Sequence, residues 1–234
     1  GVLFFVTLYL QRVQGYSPVE AGVRMLPLTG VMAVSAPLGG FLGMKLPGRV
    51  LMGGGMALVA GALLGLTGIA PHSGFGSLWP WFLMMAFGMG FVFTSASQAI
   101  VGSAPPHRAG LASGLQQTLL QVGGVLGTSA LGAILTSRIG SLLPGRLADA
   151  GVPADTAQQV QDGSTAIAQG VVPVPAGTAA DVAQKITDAS YAALTTGMHT
   201  TLVVAAIVCV VGAVAAAVFV RTKPGAPMMD FGGM

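Results

Sequence analysis

The sequence predicts an all-α membrane protein, a six-helix bundle whose first helix is cut short. Three observations carry this. Only 7% of the 234 residues are charged, against about 25% in a soluble domain. Hydrophobic residues make up 53%, and the mean hydropathy is +0.79. From Ala109 to Ser137 the chain runs 29 residues without a charge, where about 20 apolar residues suffice to cross a bilayer core. The predicted spans are 1–14, 21–44, 50–70, 78–101, 109–137 and 198–220. An external loop at 138–197 and a tail at 221–234 complete the chain.

The first segment, GVLFFVTLYLQRV, is apolar for only 10 residues before Gln11 and Arg12. That is about half a crossing. It has neither the basic start nor the small-residue cleavage site of a signal peptide. It reads as the outer end of a spanning helix, and the whole as the C-terminal part of a longer protein. Thr7 and Gln11 share a face, and Tyr9 is an interface aromatic.

Ser17-Pro18-Val19-Glu20 is a capping box: Ser17 caps, Pro18 suits the first helical position, and Glu20 reaches back to the cap amide. Glu20 and Arg24 are four apart and can pair. Pro27 and Pro37 interrupt the second span. Each removes a backbone hydrogen bond and kinks a helix, as a hinge or to fit the curvature of a bundle. Lys45-Leu46-Pro47-Gly48-Arg49 is a tight basic loop.

The third span is glycine-rich, and Gly61 and Gly65 have the GxxxG spacing of a helix contact. His72 lies in a short loop, Pro71 to Ser77, where solvation accounts for it. Trp79-Pro80-Trp81 marks a membrane interface. In the fourth span Thr94 and Gln98 are four apart on one face, with Phe91 among the neighbouring aromatics. Aromatics beside isolated amides and hydroxyls suit an apolar organic ligand with a few polar groups; helix packing explains them equally.

The fifth span is not a plain greasy helix. Ser113, Gln117, Gln121, Gly124, Thr128 and Gly132 step by three or four and line one face. Small and hydrogen-bonding groups do not face lipid tails comfortably, so this face meets other helices or a wet cavity. Packing and a cavity wall touching a transported molecule are both open, and one helix can serve both.

Residues 138–197 differ in composition. They hold five of the seven carboxylates and are rich in Ala, Gly and Pro. Val182, Ile186 and Ala189 indicate a short amphipathic helix leading into the last span. The segment contains no catalytic constellation.

Several classes are excluded. Cys209 is the only cysteine, which leaves no intramolecular disulfide and no thiolate metal cluster. The scattered cations give no nucleic-acid footprint. No Asp or Glu occurs between Ala21 and Ala148. Thus a buried carboxylate proton carrier is absent from the first five spans, and so is a pair of buried Asp residues for an intramembrane protease. There is no HExxH and no Walker-type GxxxxGK[ST]. No enzyme activity, cofactor or metal is expected. Lys45, Arg49, Arg108, Arg221 and Lys223 all lie in short loops or beside span ends on one side. That side is therefore cytoplasmic, with the C-terminus on it and the long loop external.

Three stretches carry a resemblance: LFFVTLYLQRVQGYSPVEAGVRMLPL (Leu3 to Leu28), PPHRAGLASGLQQTLLQVGGVLGTSALGAIL (Pro105 to Leu135) and GMHTTLVVAA (Gly197 to Ala206). With the spacing between them they cover most of the chain. The sequence resembles the C-terminal half of a major facilitator superfamily transporter, in the branch of 14-helix bacterial drug:proton antiporters. The resemblance implies that the segments here are helices nine to fourteen. It implies export of amphipathic organic compounds in exchange for protons, by alternating access between two six-helix halves. The partners it implies are the lipid bilayer, a small amphipathic substrate, protons and the N-terminal half. Proton-coupling residues would lie in that other half. One departure stands out: Met44 occupies the place where the superfamily's loop signature carries an Asp, so only the Gly and basic parts of the signature match.

On this basis Phe91, Thr94, Gln98, Gln117 and Gln121 are the expected cavity-facing, substrate-binding residues. The ring would supply apolar area, and the amides donors and acceptors. Two alternatives remain: a transporter of the same fold with a narrow cargo such as a lipid, siderophore or metabolite, and a non-transporting membrane scaffold.

Overall fold

A computed structural model describes residues 7, 10–11, 15–68, 76, 78–102, 104–175 and 177–220. The first predicted span, apart from Thr7, Leu10 and Gln11, lies outside the described residues, as do His72 and the tail 221–234. The helices are α1 (Pro18–Lys45), α2 (Gly48–Thr67), α3 (Trp79–Val101), α4 (Ala109–Asp149), α5 (Ala154–Asp162), α6 (Ser164–Ala168) and α7 (Ala180–Phe219). There is no strand among the described residues. Five helices, α1 to α4 and α7, are long and apolar enough to cross a membrane.

The start of α1 forms the expected box. The Ser17 amide donates to Glu20 Oε2 at 2.9 Å, and the Glu20 amide donates to Ser17 Oγ at 3.3 Å. The helix runs unbroken through Pro27 and Pro37. It stops where Pro47 follows Leu46, and α2 begins one residue later. Lys45, expected to open the basic loop, is the last residue of α1.

The larger departures are at α4 and α7. The span expected at 109–137 is part of a helix that continues twelve residues further, to Asp149. The last span, expected from 198, belongs to a helix that starts at Ala180, and the short helix expected before it is the same unbroken element. The external loop expected at 138–197 is thus mostly helical. The physical reason is the period of its apolar residues. Leu135, Ile139, Leu143 and Leu147 recur every four residues and are all fully buried, a helical stripe that outlasts the uncharged run. Pro144 lies within α4 without ending it. The stop comes at Gly151, whose φ of +70° is left-handed. The Val152 amide donates to the Leu147 carbonyl and the Gly151 amide to the Ala148 carbonyl, both at 3.0 Å. This is a Schellman closure, which favours glycine at that position.

The described residues fall into two compact units. One holds α1 from Arg24, all of α2 and α3, the first part of α4 and the last part of α7. Here α3 packs against both α1 and α2. Ser35 Oγ on α1 donates to Met32 O at 2.9 Å and lies 3.3 Å from Ala86 O on α3, a close approach that Gly90 permits. Between α2 and α3 the backbones nearly touch. A Cβ on Gly88 would lie 2.6 Å from Gly55 O, and one on Gly55 would lie 2.8 Å from Gly88 O. Gly65 accepts the flat indole of Trp81, and Gly61 faces the methyl end of Met84. The Gly61–Gly65 spacing therefore does mark a contact. On α7, Gly212 lies against the Met56 sulfur of α2.

The other unit contains the far parts of α4 and α7 with α5 and α6 between them. Its core joins the Leu135–Leu147 stripe to Val152, Val160, Ile167, Ile186, Leu194 and Met198. Burying a Leu or Ile side chain from water contributes about 1.5–3 kcal/mol.

Candidate functional site

Phe91, Thr94 and Gln98 step along α3 by three and four residues, so they share a face. That face meets α1 at two glycines. A Cβ on Gly39 would lie 2.8 Å from Thr94 Oγ1 and 3.3 Å from Phe91 Cδ1. One on Gly43 would lie 2.6 Å from Gln98 Oε1 and 3.2 Å from its Nε2. Gly39 and Gly43 thus form a flat strip on which the three side chains rest. The sequence carries a signal for it, the spacing of four between Gly39 and Gly43.

The three groups differ in what they can offer. Thr94 Oγ1 donates to Gly90 O one turn back, with Ala36 O of α1 at 3.4 Å. Its hydrogen is therefore used by backbone, and only lone pairs remain for another molecule. Phe91 is half-buried, with the ring of Phe87 at 6.2 Å and tilted by 47°, a separation within the range of a favourable aromatic pair. Gln98 is exposed, and its amide makes no hydrogen bond among the described residues. It retains two donors and an acceptor oxygen.

Gln117 and Gln121 sit on the uncharged part of α4. Both are exposed, as are Ser113, Gly124 and Thr128 of the same face. No heavy atom lies within 4 Å of where a Cβ would stand on Gly110, Gly114, Gly123, Gly124, Gly127 or Gly132. Thr118 and Thr128 return their hydroxyl hydrogens to the carbonyls of Gly114 and Gly124. Hence the structure brings Phe91, Thr94 and Gln98 together against α1, and it leaves the amides of Gln117 and Gln121 open on α4. No group of three or more His, Cys, Asp or Glu residues that could hold a metal occurs among the described residues.

Glycine-lined contacts and a face free of charge suit helices packed in lipid, and comparison with known proteins gives the family. Residues 1–128 match the Major Facilitator Superfamily. The chain belongs to that superfamily. Along 223 residues it is 40% identical to the tetracenomycin C resistance and export protein of Streptomyces glaucescens, covering 94% of this chain and 41% of that protein. It is 28% identical over 225 residues to the multidrug efflux pump LfrA of Mycolicibacterium smegmatis, covering 94% and 42%. Over 148 residues it is 32% identical to the puromycin resistance protein pur8 of Streptomyces alboniger, covering 61% and 29%. The chain spans about two fifths of the length of the first two of these relatives. No solved structure matches it significantly. With five helices fit to cross a bilayer and this family membership, the chain is a multi-pass membrane protein.

Proposed function

We propose that the chain is the C-terminal part of a proton-coupled exporter of amphipathic organic compounds that works by alternating access. The supporting observation is the 40% identity to a resistance and export protein, maintained over 94% of the chain. In this reading the chain supplies walls for a transport path and carries out no covalent chemistry. Phe91 offers apolar area. Gln98, Gln117 and Gln121 offer amide donors and acceptors, and Thr94 offers lone pairs. The proton-carrying carboxylates lie in the remainder of the protein in this reading, because α1 to α3 after the capping Glu20 and the uncharged runs of α4 and α7 hold no Asp or Glu; the one His in them is His199 of α7. The short basic connection Lys45 to Arg49 supports an orientation with that end in the cytoplasm and the C-terminus on the same side.

Full-length protein expressed in a drug-susceptible bacterium should lower the accumulation of a panel of lipophilic cations and aromatic antibiotics. A protonophore should abolish that effect. Accumulation identical to an empty-vector control for every compound would refute the proposal.

One observation favours a narrower cargo. The relative at 40% identity is named for a single compound, whereas the one named a multidrug pump is 28% identical. Export limited to one structural class in the same panel would select this second reading.

A further inference from the structure

Helices α4 and α7 are 41 and 40 residues long, or about 60 Å each. The hydrocarbon core is only ~30 Å thick, and even a tilt of ~40° accommodates only about 26 residues. Each helix therefore continues well beyond the bilayer. Composition indicates which ends project. Ala109 to Ser137 and Ala189 to Phe219 carry no Asp, Glu, Lys or Arg. The other ends carry Arg138, Arg146 and Asp149 on α4, and Asp181, Lys185 and Asp188 on α7. Those ends are the ones joined through α5 and α6, so they project on the same side.

The main apolar core of this unit lies along the projecting parts. Leu135, Ile139, Leu143 and Leu147 of α4 pack in one cluster with Ile186 and Leu194 of α7, and α5 and α6 contribute to the same core. The pairing has a start. A Cβ on Gly197 of α7 would lie 3.0 Å from Leu135 Cδ1, whereas Gly132 and the glycines before it on α4 face open space. A polar tie accompanies it: the Arg146 guanidinium donates to Thr196 Oγ1 at 2.9 Å. Location matters for the strength of this pairing. Between helices within lipid there is no hydrophobic driving force, because the tails are as apolar as Leu. In water the same contacts are driven by the full effect.

We infer that residues 135–198 form a clamp outside the bilayer that holds the projecting parts of α4 and α7 together as one body during transport. The inference rests on the alternating-access reading above.

The test uses the full-length protein, made cysteine-free with Cys209→Ser in this chain. Spin labels at Ser141→Cys and Asp188→Cys, both exposed, report the separation of the two arms in nanodiscs. One narrow distance, unchanged by pH gradient or added substrate, supports the clamp. A second distance that grows under either condition overturns it, whether or not the protein exports anything. In parallel, Leu135→Cys with Gly197→Cys, or Arg146→Cys with Thr196→Cys if the first pair fails to accumulate, is joined by a short bis-methanethiosulfonate. Export within about twofold of the unjoined variant supports the clamp. Loss of export on joining, reversed by reductant, overturns it. Wild-type protein that exports no compound refutes the transport reading alone, since the label distances still judge the clamp.

Discussion

Gly88→Val removes the protein from the membrane fraction, whereas Gly114→Ala leaves it there. At Gly88 a Cβ would stand 2.6 Å from Gly55 O, 2.8 Å from a Val59 methyl and 3.0 Å from the Val59 amide nitrogen. Two of these three atoms are backbone and cannot swing aside, so α2 and α3 must separate. Inserting even small groups into a filled contact costs about 1–3 kcal/mol, and a branched side chain against backbone falls at or above the upper end. A loss of 1.4 kcal/mol is about tenfold in the folded-to-unfolded ratio, and losses of about 1–2 kcal/mol change cellular abundance several-fold, so the full-length variant should fall at least that far. Gly114 has nothing within 4 Å of its Cβ position, and Ala exceeds Gly in a helix by about 0.8–1.0 kcal/mol. Quantitative immunoblots of membranes, with thermal melts in detergent, check both. Wild-type abundance and melting for Gly88→Val would contradict the backbone contact of α2 with α3.

Gln117→Leu combined with Gln121→Leu changes which compounds are exported and leaves the amount of protein unaltered. Both side chains are exposed on α4, so their loss disturbs no packing in this chain. If they hydrogen-bond a substrate, each lost bond costs about 0.5–1.5 kcal/mol. The pair then lowers export of polar-substituted compounds by about fivefold to 150-fold. Compounds without donors or acceptors should pass as before or better. Transport assays across the panel, normalised to membrane abundance, give the answer. Unchanged export of every compound would mean that this face serves helix packing only.

The spanning helices were legible because lipid imposes a simple rule: long uncharged runs that satisfy their own backbone. Ser17 and Glu20 likewise announced the start of α1, because a capping box is a local device that needs no knowledge of the fold. Residues 138–197 were harder for a physical reason. Charges at Arg138, Arg146 and Asp149 end the lipid signal, yet the helix persists on an apolar stripe that only its partner makes intelligible. Candidate ligand contacts were legible as residue types on a face, and three of the five do gather against α1. The closure of the Thr94 hydroxyl onto Gly90 O is local to α3 and needs only the helix itself, whereas the approach of Ala36 O from α1 was not readable. Nor was the resting place of Gln98 on Gly43, which needs two glycines on one helix aligned with one turn of another.

The indole of Trp81 lies flat on Gly65 between two helices, and the chain has only one other tryptophan, Trp79. An aromatic ring sandwiched against bare peptide is a built-in optical gauge. With Trp79→Phe, and any tryptophans elsewhere in the protein replaced, the emission maximum would report the gap between α2 and α3. A steady maximum through turnover would mean a rigid pair, and a red shift would mean that water enters as the pair parts.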